Sequence, residues 1–134
     1  MRPQSIIRFE RIFFVYWIAG IIGSVLLWQY RLAVFYATPG SAMFSKSLPA
    51  WVAAIGFAVQ LLLWWLIARV GSAVAKWVYV VLIACAAVAL VASLSMPLAP
   101  PIQLTGLIAG LLVLRIAAAA MLFRTDAVDW LRRR

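Results

Sequence analysis

The chain has 134 residues, of which 68% are hydrophobic and 11% charged, and a formal net charge of +9; its mean hydropathy is +1.09. Soluble domains carry about 45–50% apolar and about 25% charged residues. A water-soluble globule, a disordered chain and a collagen-like chain are therefore excluded, and an integral membrane protein remains.

A helix that crosses about 30 Å of hydrocarbon needs about 20 mostly apolar residues, and four stretches meet that need. After the basic entry MRPQSIIRFER, the first span is expected over about residues 12–30. It is longer than the 7–15-residue core of a signal peptide and ends in Trp28, Gln29, Tyr30 and Arg31 rather than at a small-residue cleavage site, so it reads as a retained span. Residues 31–49 are expected to form a loop that turns at Thr38-Pro39-Gly40. The second span follows over about 50–68, and residues 69–76 form a tight link broken at Gly71. The third span covers about 77–96 and stops at the PLAPP link, because proline lacks the amide proton a helix needs. Pro101 suits the first position of the fourth span, about 102–123. The tail, residues 124–134, reads as an interfacial helix carrying Trp130 and Leu131, its arginines toward anionic lipid. Short links make neighbouring spans antiparallel. The expected fold is a single all-α domain, an antiparallel four-transmembrane-helix bundle.

Charge placement sets an expected orientation. With both termini inside, Arg2, Arg8, Arg11, Arg69, Lys76, Arg124, Arg132, Arg133 and Arg134 share the cytoplasmic side, against Arg31 and Lys46 outside. Nine against two is a strong positive-inside bias, and the nine form a rim suited to anionic lipid. Trp28, Tyr30 and Trp51 then mark the outer interface and Trp77 and Trp130 the inner one. Basic residues gathered at span ends read as topology signals rather than as a nucleic-acid surface.

The same composition narrows the chemistry. There is no histidine and one cysteine, Cys85, within an apolar run, so no haem, zinc, copper or iron–sulfur site is expected. No Asp or Glu lies within an expected span, which removes the usual acids and bases of catalysis. The expectation is a protein that is not an enzyme and has no cofactor. Small four-helix multidrug exporters resemble the chain in length and span count, but they rely on a membrane-embedded glutamate; here Glu10 precedes the first span, between Arg8 and Arg11.

Arg115 is the one charge inside a span, and intramembrane charge is a functional candidate by default. It lies about eight residues, or about 12 Å, from the inner end of its helix. A helical side chain leans toward its own N-terminus, here away from the nearer water. Its candidate partners are the Gln60 amide, the rings of Tyr16 and Trp17, and a lipid phosphate. Small residues mark close helix approach: Ala19 with Gly23, Gly20 with Ser24, and Gly106 with Gly110. These read as packing within the bundle ahead of dimerisation.

The segments RPQSIIRFER, QLLLWWLIARVGSAVAKWVYVVL and LFRTDAVDW together resemble a functionally uncharacterised family of small bacterial four-span membrane proteins. The resemblance implies four spans in a bacterial inner membrane and supplies no activity, cofactor or catalytic residue. The expected function is that of a non-enzymatic accessory or scaffold protein that binds lipid, another membrane protein or copies of itself. The alternative is a small oligomeric channel or transporter with a path near Arg115 and Gln60.

Overall fold

The computed structural model describes residues 3–95 and 101–132, apart from the side chains of Trp130 and Arg132. Six helices form, and there is no strand among the described residues. Helix α1 (Gln4–Leu26) starts behind Pro3, whose fixed φ and missing amide suit a helix entrance. The single non-helical residue Leu27 separates it from α2 (Trp28–Ala37), and hydrogen bonds from Leu27 N to Gly23 O (2.9 Å) and Arg31 N to Leu27 O (3.0 Å) bridge the break. Gly40 then takes φ +83°, a left-handed conformation that glycine adopts without a Cβ penalty, and leads a 3-10 turn over Ser41–Met43.

Helix α3 (Leu48–Trp65) carries Pro49 in its first turn and widens into a π turn over Leu66–Val70. Gly71, at φ +77°, ends it. The next residue, Ser72, donates its amide to Leu66 O (3.0 Å) and accepts from Ala75 N (3.2 Å), so it closes one helix and caps α4 (Ala73–Leu94). Helix α5 (Ile102–Met121) follows Pro101, and α6 (Thr125–Arg132) lies beyond a short turn.

The four long helices form a closed ring: α1 packs on α5 and α3, and α4 packs on α3 and α5. Glu10 of α1 pairs with Arg69 at 3.5 Å, Ser5 N donates to Asp126 Oδ2 at 3.3 Å, and the Trp77 and Phe123 rings meet at 5.9 Å. These contacts bring the start of α1, the α3–α4 link and α6 to one end of the bundle, the basic end. The best-packed core sits there, built from Ile6, Phe9, Phe13, Tyr16, Ile67, Ala118 and Leu122, each 0–1% exposed.

The outward faces are also apolar. Val15, Ile18, Ile22, Ile55, Val81, Val88, Val113 and Ile116 are all exposed. Soluble monomers rarely show contiguous apolar patches beyond a few hundred Å², and four helices here are long and apolar enough to cross a membrane. The chain is a multi-pass, all-α membrane protein.

Several boundaries move from those the sequence predicts. The first span starts at Gln4 rather than residue 12 and ends at Leu26 rather than residue 30, and helix α2 occupies the start of the expected loop over residues 31–49. The second runs from Leu48 to Val70, the third starts at Ala73 and the fourth ends at Met121, each a few residues from 50–68, 77 and 123. Backbone hydrogen bonding continues past the edge of an apolar run, so composition alone misplaces helix ends. Pro101 stands before α5 rather than inside it, its carbonyl accepting from Leu104 N and Thr105 N, both at 2.9 Å. The expected stop at Met96 and residues 97–100 of the PLAPP link lie outside the described residues.

The tail helix also differs from expectation. Ala127 and Leu131, one turn apart on α6, are 0% and 5% exposed and pack against the bundle, so these two side chains cover protein rather than lipid. The Ser5 hydroxyl and backbone amide beside Asp126 hold its carboxyl below the usual carboxylate range. The i, i+4 spacing of two apolar residues is the physical reason for this docking.

Candidate functional site

The ring of helices is tight at the basic end and loose at the other. Between α1, α3, α4 and α5 a cleft of about 390 Å³ opens from mid-bundle toward the α2 end. Small residues along its walls leave the space unfilled: Gly20 and Gly23 of α1, Ala53 and Gly56 of α3, and Ala86 of α4. Side chains of Phe57, Ile108, Leu111 and Leu112 supply the apolar surface. Tyr30 and Arg31, at the start of α2, stand at the mouth.

The polar groups gather at the closed end. The Arg115 guanidinium lines the cleft and rests over the Tyr16 ring, 5.2 Å from its centroid. That cation–π contact supplies a partial partner for the charge. Below it, Tyr79 Oη donates to Tyr16 Oη at 3.0 Å. Phe13 packs on Tyr16 at 5.1 Å and Phe9 on Tyr79 at 5.8 Å, so an aromatic layer seals the floor. Gln60 also lines the cleft, and its Oε1 is buried without a hydrogen-bond partner among the described residues. An unpaired buried acceptor is costly, which makes this end a place where a polar group from outside is stabilising.

Of the residues singled out from sequence, Arg115, Gln60, Tyr16, Gly20, Gly23 and Ser24 meet in this one cleft. Trp17 does not join them as a ring for Arg115: its Nε1 donates to Phe57 O at 3.3 Å, and its ring packs edge-on against Phe57 at 6.0 Å. Gly20 and Gly23 face neighbouring helices, where an added Cβ would reach contact distance of Phe57 at 3.5 Å and of Leu107 at 3.4 Å. Ala19 is half-buried beside them. Gly106 and Gly110 behave otherwise. Both are exposed, and an added Cβ would meet nothing within 4 Å at either, so this GxxxG pair makes no packing within the chain. The motif fixes a face of a helix, and rotation of α5 turns that face outward.

The basic residues divide by setting. Arg8, Arg11 and Arg124 are exposed. Arg69 bridges Glu10 and the Trp64 ring, 5.7 Å away. Lys76 is buried to 9% exposure, with Nζ 4.6 Å from the Phe123 ring and 5.5 Å from that of Trp77. Arg2, Arg133 and Arg134 lie outside the described residues, as does the side chain of Arg132.

Sequence reasoning missed Tyr79 and Phe57. Their depth in the spans was readable, but the rotation that faces Tyr79 to Tyr16 was not. Among the described residues, no group of three or more His, Cys, Asp or Glu comes together. Comparison with protein-family models, curated proteins and solved structures gives no match.

Proposed function

We propose that the chain is a non-enzymatic accessory protein of a bacterial inner membrane that binds a lipid-like amphiphile in the cleft between its spans. The observation that carries this reading is one guanidinium, without a carboxylate partner among the described residues, at the closed end of an apolar, lipid-depth cavity. A charge at mid-membrane costs about 2.5–3.5 kcal/mol on insertion scales, so an amphiphile that brings both a polar head and an apolar tail satisfies this cavity at both ends. Its volume falls in the ~300–1,000 Å³ range of small-molecule sites.

Both termini are cytoplasmic in this reading, because the basic end carries Arg8, Arg11, Arg69, Lys76 and Arg124 while Arg31 and Lys46 lie beyond the opposite ends of the spans. A transport path near Arg115 and Gln60 is less well supported, since the cleft ends on the layer of Phe9, Phe13, Tyr16 and Tyr79. Native mass spectrometry of the protein released gently from its own membranes tests the binding reading. The expected result is a stoichiometric adduct with the mass of an amphiphile; a bare chain under conditions that preserve the fold would overturn it.

A further inference from the structure

We infer that the cleft takes a single-chain carboxylate, with its head on Arg115 and its alkyl tail running along α1, α3 and α5 toward Tyr30 and Arg31. This rests on the amphiphile-binding reading above and names the class of amphiphile.

The sign of the head follows from Arg115. No ion pair reaches it among the described residues, and Glu10, the acid nearest in depth, is held by Arg69 at the basic end. The charge of the head follows from the floor, which offers one guanidinium. A planar guanidinium binds a carboxylate through two parallel hydrogen bonds and matches its single charge. A phosphate monoester brings about −1.5 to −2 at neutral pH, and the second cation of the cleft, Arg31, stands at the opposite, exposed end.

The size of the tail follows from the walls. About 390 Å³ lies near the low end for ligand sites, room for one alkyl chain along the cleft. Orientation is fixed because the aromatic floor stops any tail below Arg115, while the walls above it are apolar. Gln60, with its unpartnered Oε1, completes the polar end.

Photolabelling of the full chain in nanodiscs of zwitterionic lipid tests this. Three probes share one alkyl chain with a diazirine at its tip and end in a carboxylate, a phosphate monoester or a neutral hydroxyl. At about pH 8, where the carboxylate is ionised, the carboxylate probe should label peptides lining the cleft about tenfold more than the neutral probe, and more than the phosphate probe. R115Q should reduce carboxylate labelling to the neutral level, R115K should keep part of the preference, and K46Q, at an exposed position outside the cleft lining, should leave it unchanged. Equal cleft labelling by all three probes, stronger labelling by phosphate, or a preference that survives R115Q would overturn the carboxylate assignment while leaving amphiphile binding intact. No cleft labelling by any probe would overturn both. The comparison among probes on the unaltered protein needs no variant to fold.

Discussion

The hydroxyls of Tyr16 and Tyr79 meet at 3.0 Å, each on a ring that is 1–3% exposed. Neither has a more economical partner in an apolar interior, so removing one strands the other. Y16F keeps the ring under Arg115 but leaves the Tyr79 hydroxyl unpaired, at about 1–3 kcal/mol. Y16F/Y79F removes both polar groups and should recover much of that loss. A double-mutant cycle of unfolding in mixed detergent measures this coupling, and strictly additive effects would show that the pair makes no shared contribution. Arg115 itself belongs to a different balance, because its ring contact leaves the outer donors of the guanidinium facing the cleft.

At the scale of helices, glycines with the same local chemistry have opposite roles. Gly23 faces Leu107 across the α1–α5 contact, whereas Gly110 faces outward. G23L should destabilise the bundle by about 1–3 kcal/mol through overpacking, while G110L should change it by no more than about 0.5 kcal/mol. Thermal unfolding of both variants in one detergent provides the comparison; equal losses would mean that α5 is rotated from the arrangement described. Helix α6 gives a pH-dependent case. The Ser5 hydroxyl and amide lower the carboxyl pKa of Asp126 in the folded chain, so its contribution to docking is full above the ordinary carboxylate range. It is lost as pH falls through that range toward the depressed value. Limited proteolysis of the tail between about pH 3 and pH 7 should show α6 loosening at the acid end, and D126N should be equally loose throughout. A flat profile for the unaltered chain would contradict the contact.

Over the whole molecule, the sequence revealed the spans because each is a long apolar run, and solvent transfer alone dictates where such runs go. It revealed Arg115, Gln60 and Tyr16 as one neighbourhood for a related reason: in antiparallel helices of similar length, residues at mid-depth share a layer. Helix rotation was not legible. Nothing local to α4 says that Tyr79 turns to Tyr16, and nothing local to α5 says that Gly106 and Gly110 turn outward. The segment before the expected span, MRPQSIIRFER, reads as a basic entry, yet Ile6 and Phe9 are fully buried there, since α6 packs on α1 and the Tyr79 ring of α4 meets Phe9. A bundle closed at one end by aromatic rings also predicts no flux of small ions in proteoliposomes, with R115L no different from the unaltered chain; flux abolished by R115L would favour the pathway reading.

Occupancy of the cleft is tested most directly by a crystal structure grown from a lipidic mesophase. Elongated density should run from the mouth at Tyr30 to the floor, with its polar end within hydrogen-bond distance of the Arg115 guanidinium. Helices closed together over that space, or water alone beside Arg115, would contradict an amphiphile-binding role.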